Sequence, residues 1–119
     1  MWFLFNFLYL FYNEIMEINE EFLLKKYIPS NVDMQNMCTF FYAFSDSTRL
    51  KVIILLMIKP LCVGEISAIL DINQTTISHQ LKILKSLNIV DGNRNGKNVV
   101  YYIKNVNIES VLNATVECL

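Results

Sequence analysis

The stretch Gln74-Thr75-Thr76-Ile77-Ser78-His79-Gln80-Leu81-Lys82 crowds amide, hydroxyl and imidazole groups into one helix-length segment of a chain that is 54% hydrophobic. Such groups donate and accept hydrogen bonds, and on a helix they suit one task well: reading base edges in the DNA major groove. At about 100° per residue, Ile77, Leu81, Leu84 and Leu87 fall on one side of this helix. Thr75, Ser78, His79, Lys82 and Ser86 fall on the other. A plain solvated face would favour Glu and Lys, which form helices more readily than Thr and Ser. Gln74, Thr75, Ser78 and His79 are therefore expected to read bases, with Thr76, Gln80 and Lys82 supporting them or holding phosphates.

The charge distribution agrees. The formal net charge is −1, yet residues 49–104 hold eight Lys or Arg against Glu65, Asp71 and Asp91 only. The flanking segments are acidic, so the cation excess coincides with the polar helix, where an anionic ligand would be drawn. Arg94 and Lys97 lie just beyond that helix and are expected to clamp the DNA backbone.

Other chemistries find less support. The cysteines, Cys38, Cys62 and Cys118, are widely spaced with no Cys-x-x-Cys pair, so neither a disulfide framework nor a self-contained zinc knuckle follows. Their low number fits a reducing, cytoplasmic compartment. Cys62 reads either as a small hydrophobe near a helix start or as a sensor thiol. His79 is the single histidine; it has no thiolate or carboxylate partner nearby in sequence, and its place on the polar face favours DNA contact over metal ligation. No nucleophile–base pair or carboxylate dyad stands out, and three glycines leave no phosphate-cradling loop. The chain is not read as an enzyme, and no cofactor is expected.

The elements that must position the polar helix can be traced along the chain. Residues 15–27 read as a helix closed by Pro29. A second helix covers about 32–44, with Met34, Met37, Cys38 and Phe41 on one stripe. Phe40, Phe41, Tyr42 and Phe44 look like core or dimer packing rather than a base-stacking platform. A helix over about 47–58 is capped by Ser45 or Asp46, carries a stripe of Leu50, Ile53, Ile54, Met57 and Ile58, and ends at Lys59-Pro60. A short helix over about 63–70 buries Ile66, Ile69 and Leu70. The turn Asp71-Ile72-Asn73 leads into the polar helix, with Asn73 as its cap. A short helix, a tight turn and a polar-faced helix make a helix-turn-helix. Beyond it, Ile89-Val90 and Val99–Ile103 read as strands joined at Asn95-Gly96, a strong hairpin signal. This ribbon with cations at its tip is a wing. A last helix covers about 106–118, with Ile108, Val111, Leu112 and Val116 on one stripe.

From Phe44 to Ile103 the chain resembles the ArsR/SmtB family of winged-helix repressors. FSDSTRLKVIILL is similar to that family's Asp-x-Thr-Arg helix, LCVGEISAIL to its Leu-Cys-Val segment, QTTISHQLKILKSLNIV to its recognition helix and GKNVVYYI to its wing strand. The resemblance implies a homodimeric repressor that binds an inverted-repeat operator in double-stranded DNA and leaves it when an inducer binds. It also implies that the helices at 32–44 and 106–118 form the dimer interface. One metal site of the family needs Cys-Val-Cys, but here the segment reads Cys62-Val63-Gly64, so Cys62 is the only retained ligand position. The other uses Asp and His on the last helix, where Val106, Ile108 and Leu119 stand. Neither set is complete, so no metal site is expected. The alternative within the family is a thiol-responsive repressor switching through Cys38, Cys62 and Cys118. Outside it, the rival is a winged-helix protein-interaction module without DNA.

The fold expected is mainly α: a winged helix-turn-helix with a two-stranded β-wing and flanking dimerisation helices, occupying 32–119. Residues 16–31 form an extra helix and linker. Residues 1–15, opening MWFLFNFLYLFY, are an extra packing or dimer segment, or arise from a start upstream of a true start at Met16. They are too short for a bilayer span, which needs about 17–25 residues, and lack the features of a secretory signal. No membrane partner is expected.

Overall fold

The computed structural model describes residues 1–15 and 20–119. Its elements are α1 (Trp2–Ile15), α2 (Glu20–Tyr27), α3 (Asn31–Tyr42), α4 (Ser47–Ile58), β1 (Leu61–Cys62), α5 (Val63–Leu70), α6 (Gln74–Ser86), β2 (Val90–Asn95), β3 (Asn98–Ile103) and α7 (Ile108–Glu117). They divide between two compact units, Met1–Gln35 and Asn36–Leu119.

In the first unit, α1 exposes Trp2, Phe3, Phe5 and Phe7. Glu20 and Glu21 open α2 and Lys25 and Lys26 close it, matching the sign of the helix dipole at each end. The expected helix over 15–27 is thus present from Glu20, ending before Pro29; its part over 16–19 lies outside the described residues. Ser30 begins α3 through its hydroxyl, which accepts from the Asp33 backbone N–H at 3.1 Å and donates to the Asp33 carboxylate at 2.7 Å. No helix among the described residues is long and apolar enough to cross a membrane.

The second unit is built round one apolar core. Val52, Ile53 and Leu56 of α4 meet Ile66 of α5, Ile77, Leu81 and Leu84 of α6, Val90 of β2 and Ile108 of α7, with Ala43, Leu61 and Ile89 filling between them. Each fully buried large aliphatic contributes about 1.5–3 kcal/mol. Asp46 caps α4, its carboxylate accepting from the Arg49 N–H at 2.9 Å.

The expected stripe on α4 is corrected. Ile53 is buried, but Ile54 and Ile58 are 46% and 74% exposed. The inward residues are Arg49, Val52, Ile53 and Leu56, a stripe beginning one position earlier. Seven of the helix's last eight residues are apolar, so periodicity alone offered almost no contrast between faces. On α5, Ile66 is buried and Leu70 half-buried, whereas Ile69 is 57% exposed. Val63, Ile66 and Leu70 cluster on one side, and Ile69 stands about 90° from their common direction.

The wing is also larger than expected. Residues Leu61-Cys62 form β1, which pairs antiparallel with β3 (Leu61 opposite Tyr101, Cys62 opposite Val100), giving a three-stranded sheet in the order β1-β3-β2. Two residues between a proline and a helix carry no alternation from which a strand could be read. β2 and β3 pair from Val90–Ile103 to Asn95–Asn98. The loop residues are therefore Gly96 and Lys97. Gly96 has φ +64° while Lys97 is not in the positive region, the sign pattern of a type II′ turn.

The apolar stripe of α3 remains largely uncovered, whereas that of α7 is open only at its C-terminal end. Met34, Met37 and Phe41 are exposed, as is Val116, while Phe40, Phe44 and Leu112 pack partly against the core.

Candidate nucleic-acid interface

The helix-turn-helix is fixed at each junction by local hydrogen bonds. Glu65 Oε1 accepts from the Cys62 backbone N–H at 3.1 Å, tying down the start of α5. Accepting that bond holds the Glu65 carboxyl below the usual carboxylate range, helped by the Cys62 side chain and Lys59. At the other end, Asp71 adopts a left-handed conformation and Ser67 Oγ donates to the Ile72 carbonyl. Asn73 then caps α6 as expected, its Oδ1 accepting from the Thr75 N–H at 2.7 Å.

The exit from α6 is equally specific. Asn88 takes a left-handed φ of 58°. Its N–H donates to the Lys85 carbonyl at 3.0 Å, and the Ile89 N–H donates to the Leu84 carbonyl at 3.1 Å. These are the two bonds of a Schellman motif, and its customary apolar contact is supplied by Leu84 and Ile89, both fully buried. The wing is therefore launched from α6 in a set direction. A surface ion pair from Lys85 to Asp91 at 3.7 Å spans the same corner. The Gly92 N–H donates to the Asp91 carboxylate, which with Lys85 and Lys104 holds Asp91 below its usual range.

On α6, Ile77, Leu81 and Leu84 are fully buried, whereas Gln74, Thr75, Thr76, Ser78, His79 and Lys82 are all exposed. Arg94 and Lys97 are exposed on the wing. An open cleft brings Gln74 at the start of α6 together with Lys97 and Asn98 at the wing tip and with Cys62, Gly64 and Glu65 at the start of α5. The start of α6 and the Lys97 tip of the ribbon thus adjoin.

Gln80 departs from expectation. It is only 9% exposed and accepts a hydrogen bond from Arg49 Nη1 at 3.2 Å, so its carboxamide oxygen is turned inward rather than toward a phosphate. The signal was available: Gln80 is three residues from Ile77 and four from Leu84, in phase with the buried stripe. Arg49 was missed for the opposite reason. It is a cation inside an apolar stripe, 4% exposed, held by carbonyls rather than by a countercharge.

The cysteines are free. Cys38 and Cys118 are exposed, and Cys62 is half-buried. Among the described residues no group of three or more His, Cys, Asp or Glu converges as a metal site would.

Residues 46–91 match the family model described as bacterial regulatory protein, arsR family. The cadmium resistance transcriptional regulatory protein CadC of Listeria innocua is 39% identical over 84 residues, 70% of this chain and 71% of the relative. The transcriptional repressor SmtB homolog of Synechocystis is 39% identical over 67 residues, 56% and 51% of the two chains. Among solved structures, the homodimeric winged helix-turn-helix DNA-binding domain of Mb0332 from Mycobacterium bovis superposes with a TM-score of 0.65 at 26% identity, covering 76% of this chain and 85% of that one.

Proposed function

Because the chain belongs to the ArsR family of bacterial regulatory proteins and is thus a DNA-binding transcriptional regulator rather than an enzyme, we propose that it represses transcription from the cytoplasm as a homodimer on an inverted-repeat operator. The observation that carries this reading is the division of α6 into a fully buried apolar side and an exposed side bearing Thr75, Ser78, His79 and Lys82, with Lys97 of the wing beside Gln74. In this mechanism α6 of each subunit enters a major groove, and the dimer two-fold spaces the two half-sites by about 34–36 Å. Gln74, Thr75, Ser78 and His79 read base edges, Thr76 and Lys82 hold the adjoining backbone, and Arg94 and Lys97 clamp phosphates. The uncovered stripe of α3, with the exposed end of α7 at Val116, supplies the subunit contact, as the homodimeric Mycobacterium bovis neighbour favours.

Fluorescence anisotropy with duplex DNA at increasing salt tests this directly. Each phosphate neutralised by a cation steepens the fall of log affinity with log salt by about 0.9, so a steep slope is expected and a flat one overturns the reading. Release of the duplex by zinc tests the sensing mode. The thiolate and carboxylate ligands that zinc needs are not gathered among the described residues, so stoichiometric zinc is expected to leave the complex intact. The free thiols of Cys38, Cys62 and Cys118, the first and last exposed, favour release by a thiol oxidant instead; release that persists in a Cys38→Ser/Cys62→Ser/Cys118→Ser triple variant would sink that second reading.

A further inference from the structure

Gln80 and Arg49 form a buried polar bridge that DNA contact does not account for. Arg49 donates through Nη1 to Gln80 Oε1 at 3.2 Å, through Nη2 to the Tyr42 carbonyl at 2.9 Å and through Nε to the Ala43 carbonyl at 3.3 Å. Its guanidinium carbon also lies 4.5 Å from the centre of the Tyr42 ring. The two carbonyls belong to the last residue of α3 and the one that follows it, where C=O groups at a helix end lack intrahelical partners and a cation is favoured. One planar fork therefore joins the end of α3, the start of α4 and the middle of α6.

We propose that Gln80 is a positioning residue for DNA selectivity: through Arg49 it locks the rotation of α6 against the end of α3, so that Ser78 and His79 on the same helical turn meet bases in one orientation. This rests on α6 being the recognition helix. The chemistry explains why a polar pair stands here at all. No ion pair involving Arg49 is present among the described residues, and an apolar side chain at position 80 would continue the Ile77–Leu84 stripe without desolvating an amide. Apolar packing tolerates sliding and rotation; a rigid guanidinium fork bonded through all three of its nitrogens does not. Rotating α6 by a fraction of a turn carries Gln80 Oε1 out of reach of Arg49, leaving a buried cation one acceptor short. The same rotation would swing Ser78 and His79 away from their bases. The bridge thus ties the orientation of the reading helix to α3, the helix proposed to meet the partner subunit.

The test uses the full chain, a duplex enriched from a random-sequence library by the wild-type protein, and a mixed-sequence duplex of equal length. Gln80→Met keeps side-chain length but removes the acceptor; Gln80→Glu keeps an acceptor for Arg49; Gln80→Asn withdraws the amide by one methylene. We expect Gln80→Met to remain folded by circular dichroism and to hold its mixed-sequence affinity and salt slope within about twofold. Its preference for the enriched duplex should fall tenfold or more. Gln80→Asn should move in the same direction, and Gln80→Glu should stay within about threefold of wild type. A Gln80→Met or Gln80→Asn protein that folds and retains the preference overturns this inference alone. So does an equal loss on both duplexes, which marks a merely structural residue. A wild-type chain that enriches no sequence overturns the recognition-helix reading as well.

Discussion

Gly92 stands where Val99 leaves no room for a side chain: a Cβ at position 92 would lie 2.6 Å from Val99 Cγ1 and 3.3 Å from the Tyr101 ring. Both obstacles belong to β3, and Tyr101 is the direct ladder partner of Gly92. The glycine is required by close approach across the ribbon. Gly92→Ala is expected to cost about 1–3 kcal/mol, the usual penalty of overpacking, in a urea unfolding experiment. Because the distortion falls on the ribbon that presents Arg94 and Lys97, DNA affinity should fall by a similar factor on every sequence. Unchanged stability and unchanged affinity together would show that β2 simply moves aside.

Base reading and phosphate holding separate by their sequence dependence. Ser78→Ala and His79→Ala are expected to narrow the gap between the preferred duplex and single-base variants by about 1–3 kcal/mol at the contacted position, leaving the salt slope unchanged. Arg94→Ala and Lys97→Ala should weaken binding to all duplexes alike and reduce the salt slope by about one each. If the wing variants altered sequence preference while the helix variants altered only affinity, the assigned roles would be reversed.

Leu81 is fully buried between the helices of the reading unit. Leu81→Ala is expected to destabilise the fold by about 2–5 kcal/mol through lost burial and an unfilled cavity. Lys82→Ala, one position on and exposed, should change stability by less than about 0.5 kcal/mol. Equal effects of the two on the urea midpoint would contradict the orientation of α6.

Glu65 and Asp91 make an acid-sensitive pair of junctions. Both carboxyls are held below their usual range, Glu65 by the Cys62 N–H and Asp91 by the Gly92 N–H. A depressed folded-state pKa adds stability that is complete above the unfolded-state value and disappears as pH falls through the folded-state value. Stability should therefore decline below the ordinary carboxylate range of about 4, and the Glu65→Gln/Asp91→Asn double variant should decline less steeply there. Parallel acid limbs for the two proteins in thermal melts would rule this out.

Much of this architecture was legible because its causes are local. Asn73 and Asp46 cap helices with side chains that reach two or three residues forward, and the buried residues of α6 follow a clear alternation with polar ones. The Asn88 turn was legible in principle, since an asparagine between two apolar residues after a helix suits a left-handed exit. It is this exit that aims the wing. Arg49 was less accessible: its acceptors at Tyr42 and Ala43 are carbonyls, which every residue possesses, so no residue type announces them.

The order of helices, the caps, the hairpin and the polar face of α6 were determined by the amino-acid sequence alone, because each depends on side chains within about one helical turn or one strand pair. Tertiary structure decided which flank of the almost uniformly apolar α4 turns inward, that Leu61-Cys62 joins β3, that Gly92 must yield space to Val99, and that Gln80 faces Arg49 rather than solvent. Those outcomes depend on partners brought together from distant parts of the chain, and helical or strand periodicity carries no information about what stands opposite.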